Sequence, residues 1–159
     1  MPAAQPVTGT SLEITRTFAA PPERVFDAWT KPEIMTKWFS RRMEGTVIQI
    51  HELDLRAGGR LRLSTHDPSG KSWNLFVIYT EVRKPERLSF TWSWENEPSF
   101  GESVVTVDFR RLGNSNFTEV KLRHEGFPTA DACKGHEAGW NACYAMLEAE
   151  FPEFAHKNP

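Results

Sequence analysis

The 159-residue chain predicts an α+β fold: a curved antiparallel sheet of about seven strands around one long C-terminal helix, with two short helices after the first strand. Three observations carry this expectation. Apolar and polar residues alternate with a period of two through most of residues 45–124, a spacing of three to four governs residues 130–151, and a proline-punctuated helical stretch interrupts the strands at residues 20–39. A sheet with one apolar face needs a cover, and the C-terminal helix has the length to supply it.

The elements follow in order. SLEITRTF, residues 11–18, sets Leu12, Ile14, Arg16 and Phe18 on one face of a strand. In APPERVFDAWTKPEIMTKWF, residues 20–39, Pro21, Pro22 and Pro32 each suit the opening turn of a helix, where a fixed φ helps and a missing N–H costs nothing. Val25, Phe26 and Trp29 then fall at helical spacing, as do Ile34, Met35 and Trp38. GTVIQIHELD and RLRLST read as strands joined through RAGG, and HDPSGK is a hairpin signal before WNLFVIYTEV. After Lys84 and Pro85, ERLSFTWSW places Leu88, Phe90, Trp92 and Trp94 on one face; ESVVTVDFRRL and FTEVKLR complete the meander around the turn GNSN.

RHEGFPTADACKGHEAGW, residues 123–140, joins the last strand to the final helix. Gly126 and Pro128 break the strand, Thr129 or Asp131 caps the helix, and Trp140, Tyr144, Leu147 and Phe151 recur along one helical face. The expected organisation is an untethered tail at residues 1–10 and a single domain over residues 11–155.

Composition narrows the function classes. Nineteen basic against 21 acidic residues give a net charge of -2, without the basic excess of a nucleic-acid binder. No apolar run approaches the roughly 20 residues of a membrane span. The start MPAAQPVTGT has neither a basic n-region nor an apolar core, so a cytoplasmic, reduced protein is expected. Two cysteines make no disulfide framework; on one helix Cys133 and Cys143 would stand about 15 Å apart, beyond disulfide reach.

Cys133, His136, Asp131 and His124 lie close enough in sequence to imagine zinc, yet they lack a second ligand pair, and no metal or cofactor is expected. No Gly-x-Ser-x-Gly elbow occurs, the Gly58–Gly59 pair runs into a strand rather than a helix, and Cys133 with His136 lacks an orienting third group, so no catalytic residue is assigned. Arg41–Arg42 and the run at 95–97 read as solvated turns.

Four pieces stand in a recognisable order: FAAPPERVFDAWTKPEIMTKWF, DLRAGGRLRL, KPERLSFTWSW, and HEGF followed by HEAGW. Together they span about residues 12–151, and in that order the chain resembles the helix-grip fold of the START and Bet v 1-like (SRPBCC) superfamily. Within it, the wording is similar to the subfamily named after the activator of heat-shock-protein-90 ATPase. The resemblance implies a cavity between sheet and C-terminal helix that holds a small apolar or amphipathic molecule. The co-chaperone that names the subfamily has a further N-terminal docking domain, for which 159 residues leave no room; chaperone contact is therefore the weaker expectation.

The ligand would meet inward-facing aromatics: Trp38, Trp73 or Phe76, Trp92 and Trp94, opposite Trp140 and Tyr144. Each of these also suits plain core packing, the more frequent role of large aromatics. Alternation also turns Val120, Leu122 and His124 toward the helix, leaving His124 either a satisfied buried histidine or a hydrogen-bonding partner for the ligand. Three readings follow: a ligand-binding protein, monomeric or homodimeric; a cyclase- or hydrolase-like enzyme with a polar cavity residue as acid or base; and a chaperone-interaction module.

Overall fold

The computed structural model describes residues 11–41 and 43–155, so the expected tail at residues 1–10 lies outside the described residues. The elements run β1 (Ser11–Phe18), α1 (Pro22–Thr30), α2 (Pro32–Trp38), β2 (Val47–Leu53), β3 (Arg60–His66), β4 (Ser72–Arg83), β5 (Arg87–Trp94), β6 (Glu102–Arg111), β7 (Thr118–Glu125) and α3 (Ala130–Glu150). Single 3-10 turns occupy Pro98–Phe100 and Pro152–Phe154. The seven strands form one antiparallel sheet in the order β1-β7-β6-β5-β4-β3-β2. A meander from β2 to β7 thus ends beside β1, with Leu12 opposite His124 and Phe18 opposite Thr118.

Local chemistry sets these boundaries. Pro22 and Pro32 each open a helix. The Thr129 hydroxyl accepts from the Ala132 N–H at 3.0 Å, which caps α3. In the β3–β4 turn Asp67 Oδ1 accepts from the backbone N–H groups of Ser69 at 2.9 Å and Lys71 at 3.0 Å, an Asx turn that fixes the hairpin. Between β2 and β3 the backbone doubles back so closely that a Cβ on Gly59 would lie 2.0 Å from the Asp54 carbonyl oxygen. Only glycine fits there.

The inner face of the sheet carries Leu61 and Leu63 of β3, Leu75, Val77 and Tyr79 of β4, Leu88 and Phe90 of β5, Val105 and Val107 of β6, and Val120 and Leu122 of β7, all 3% exposed or less. Trp140, Tyr144 and Leu147 of α3 are buried with them, and the α1–α2 arm adds Val25, Phe26, Trp29, Met35 and Trp38. The core is therefore three-sided: sheet, long helix and helical arm.

Two expectations are corrected. Phe76 does not face inward with Trp73. Leu75 and Val77 are buried while Phe76 between them is half-buried, because residues three apart on a strand point to opposite faces. Arg41 is not a solvated turn residue: its side chain is 13% exposed and donates to the carbonyls of Lys37 at 3.0 Å and Thr46 at 3.1 Å and to Glu150 Oε2 at 2.9 Å. It ties the segment after α2 to the end of α3. Arg42 lies outside the described residues.

Candidate functional site

The three sides of the core meet in a cluster of aromatic rings. Trp29 and Trp38 of the arm pack edge to face at 4.8 Å, and Phe39 follows directly on α2. Trp140 of α3 lies 5.6 Å from Trp29 and 5.2 Å from Trp92 of β5, while Phe39 stands 5.9 Å from each of Trp92 and Trp140. Tyr144, one turn along α3, stacks on Trp38 at 6.0 Å. Such offset and edge-on pairs add about 0.5–1.5 kcal/mol each beyond the area they bury.

Rings with polar edges need partners in such an interior, and several have them. Trp38 Nε1 donates to the Ala28 carbonyl at 2.8 Å. Trp140 Nε1 donates to His124 Nδ1 at 3.1 Å, and His124 Nε2 lies 2.7 Å from Ser103 Oγ. Because the indole only donates, His124 Nδ1 must accept, so the imidazole proton sits on Nε2 and points at Ser103. The Ser103 hydroxyl in turn donates to the Trp92 carbonyl at 3.4 Å. The chain of donors is directional, and both nitrogens of His124 are committed. Burial first, and the neighbouring His136 second, hold the His124 pKa well below the usual histidine value, so the ring is neutral.

That direction decides what the pair can do. A serine nucleophile needs the histidine to take its proton; here the histidine gives one to the serine. The outer-face pair behaves alike: Ser64 donates to Asn74 Oδ1 at 2.8 Å, leaving His51 Nε2, at 2.7 Å, to donate to Ser64. His136 Nε2 receives the Trp94 indole at 3.0 Å and its Nδ1 faces the Ala132 carbonyl at 2.8 Å. The Cys133 thiol is pushed up by burial and by the Glu137 carboxylate, away from the reactive thiolate. Cys133 and Cys143 are free and buried. Among the described residues no group of three His, Cys, Asp or Glu side chains is gathered as for a metal ion.

Three polar groups of the cluster make no hydrogen bond: Trp29 Nε1, Trp92 Nε1 and the Tyr144 hydroxyl, all buried. Leaving a buried donor unpaired costs about 1–3 kcal/mol, so three within one cluster call for an explanation.

Of the residues singled out in the sequence, Trp38, Trp92, Trp140 and Tyr144 belong to the cluster, with His124 beside it at 5.3 Å from Trp92. Trp94 stands half-buried at its edge, 5.6 Å from Trp92. Trp73 sits half-buried at the start of β4, opposite Thr65 in register and outside the cluster. Trp29 and Phe39 were missed as cluster members. Helical spacing marks Trp29 as buried but does not show that the arm lays it against Trp140, and Phe39 lies just past α2, outside that spacing.

The resemblance implies a cavity between sheet and helix, and the aromatic cluster lies along that interface. Two concavities lie elsewhere. One of about 230 Å³ on the outer face of the sheet is lined by Glu13, Arg87, Asp108, Lys121, Arg123 and Glu125, and a shallower one runs past Pro22, Pro85 and Arg111.

The sequence pattern of the Activator of Hsp90 ATPase homolog 1-like proteins matches residues 19–151. The chain belongs to this family. Its solved structures extend the likeness: a Chromobacterium violaceum protein is 26% identical over 88% of this chain and 95% of its own, with a TM-score of 0.79. The AHSA1 protein of Silicibacter pomeroyi, 24% identical over 89% of this chain and 97% of its own, and an Arthrobacter aurescens protein, 20% identical over 92% and 88%, share the fold with TM-scores of 0.76 and 0.78. No curated protein matches the sequence. No helix among the described residues is long and apolar enough to cross a membrane.

Proposed function

We propose that this family member binds a small, largely apolar ligand between the sheet and α3, admitting it when the α1–α2 arm moves aside. The observation that carries the reading is the set of unpartnered groups, Trp29 Nε1, Trp92 Nε1 and Tyr144 OH, inside the ring cluster. A core selected for packing alone would fill these positions with phenylalanine or leucine and avoid the cost of stranded donors. Polar edges on apolar walls are instead the composition of a ligand site, where a few placed groups orient a molecule held by aromatic surface.

The arm is the side of the core that can open without breaking the sheet. It is joined to β2 by residues 39–46, in which Ser40 holds a left-handed φ of 63°, a conformation that costs a non-glycine residue energy and marks segments under constraint. The Ser40 hydroxyl bridges to Thr65 at 3.0 Å, and Arg41 reaches Glu150 at 2.9 Å. The Arg41–Glu150 pair, partly solvated, is the weaker of these ties, whereas the Ser40–Thr65 bond is buried.

The rival readings have less support. An enzyme needs an acid or base with a free position toward a substrate, and the protons of His124 and Ser103 are directed elsewhere. An interaction module needs a contiguous apolar patch, but the exposed large apolar residues Met43, Val47, Leu55, Val104 and Phe117 are spread over the arm–β2 segment, β2, the β2–β3 turn, the outer face of β6 and the β6–β7 turn. Titration with naphthalene, followed by tryptophan fluorescence and native mass spectrometry, tests the proposal. Saturable one-to-one binding in the micromolar range is expected. Unchanged spectra up to the solubility limit would remove the reading.

A further inference from the structure

We infer that the polar end of the ligand is an uncharged hydrogen-bond acceptor, a carbonyl of the ketone, ester or amide kind, received by the indole N–H groups of Trp29 and Trp92. The inference rests on the ligand-binding reading above and specifies its chemistry. Matching donors to acceptors in the cluster leads to it. The acceptors around the rings are taken: His124 Nδ1 by Trp140, His136 Nε2 by Trp94, the Ala28 carbonyl by Trp38 and the Trp92 carbonyl by Ser103. What remains is Trp29 Nε1 and Trp92 Nε1, which can only donate, and the Tyr144 hydroxyl. A site with donors left over fits a ligand that accepts.

The two indoles share neighbours, since both pack on the same pair of rings. Trp29 lies 5.6 Å from Trp140 and 6.0 Å from Phe39; Trp92 lies 5.2 Å from Trp140 and 5.9 Å from Phe39. Phe39, the first residue after α2, stands between them and would move with the arm.

Charge argues for a neutral acceptor over a carboxylate. Among the described residues, Arg16 is the cation seen against a ring of the cluster, its guanidinium over the Tyr144 ring at 5.4 Å and already paired with Glu148 at 3.3 Å. His124 beside the cluster is kept neutral by its burial first and by the neighbouring His136 second. A carboxylate would enter with no free counter-charge, at high desolvation cost. A ligand ammonium, which only donates, would meet two N–H groups that cannot accept and only the Tyr144 hydroxyl that can.

The experiment compares tetralin, 1-tetralone and 1-aminotetralin, of nearly equal size, by NMR titration of the intact isotope-labelled protein, reading the six indole N–H signals. The expected result is that 1-tetralone binds about tenfold or more tighter than tetralin, the worth of one net hydrogen bond, with the amine weakest. The Trp29 and Trp92 N–H protons should shift downfield on tetralone binding, while those of Trp38, Trp94 and Trp140, already bonded, move little. Trp29→Phe and Trp92→Phe assign these signals and should each reduce the tetralone-to-tetralin preference. If either variant fails to fold, the wild-type affinities and the two shifting signals still decide. Equal affinity for tetralin and tetralone, or a tetralone preference with both signals unmoved, overturns the acceptor inference and leaves the ligand-binding reading standing. Binding by none of the three overturns both.

Discussion

His124 shows what a single side chain contributes here. It is fully buried, accepts a hydrogen bond from Trp140 and donates one to Ser103, so it joins α3, β7 and β6 by two hydrogen bonds. His124→Phe keeps the bulk but strands the Trp140 indole. We expect a loss of about 2–4 kcal/mol in urea unfolding, from two bonds and one unpaired donor. The pH dependence has a definite sign. The unfolded chain binds a proton at this residue near pH 6.5, whereas the folded chain resists it because burial, then His136, lowers the pKa. Stability is therefore complete above about pH 6.5 and declines as the pH falls below it toward the folded pKa, by up to about 1.4 kcal/mol per pH unit. Unfolding measured from pH 7.5 to 5.5 should show this decline in the wild type and a shallower one in His124→Phe; equal slopes would mean that another group is responsible. Alternation along FTEVKLRH reveals that the histidine faces inward. Its partners are not legible, because Ser103 is 21 residues away across the sheet and Trp140 is reached only once α3 docks.

Among the elements, α3 and the α1–α2 arm differ in how they are held. The long helix begins at a cap: Thr129→Ala removes the bond to the Ala132 N–H and should cost about 1 kcal/mol, lowering the melting temperature by about 2–4 °C, while Thr129→Ser retains it. A melting temperature unchanged by the alanine would show that the cap contributes nothing. The arm is held by apolar burial on one side and by Arg41 at its end. Arg41→Ala should leave the global unfolding free energy within about 1 kcal/mol, since the Glu150 pair is partly solvated. Amide hydrogen exchange in residues 32–46 should nonetheless accelerate, because local opening draws on the weakest ties. Exchange unchanged from the wild type would argue against the arm as the moving part. Prolines and helical spacing make both arm helices legible in the sequence. The docking of the arm is not, since Arg41 looks like any charged turn residue until Glu150 is known to lie beside it. Phe76 was misplaced for a simpler reason, its odd separation from Trp73.

For the molecule as a whole, the sheet order and the cover helix follow from the sequence because each strand announces its apolar face and each turn its chemistry, as Asp67 and Gly59 do. What periodicity cannot distinguish is a core from a binding site, since both present large apolar residues inward. Here the distinction rests on atoms that periodicity ignores: the indole nitrogens of Trp29 and Trp92 and the hydroxyl of Tyr144. The most direct test of the central claim is a search for intermolecular nuclear Overhauser effects between bound 1-tetralone and the protein's side chains. The account predicts contacts to Trp92, Trp140 and Tyr144 and, on the shifted α1–α2 arm, to Trp29. Contacts confined to the outer-face concavity at Arg87, Thr106 and Lys121, with the aromatic cluster unperturbed, would contradict it.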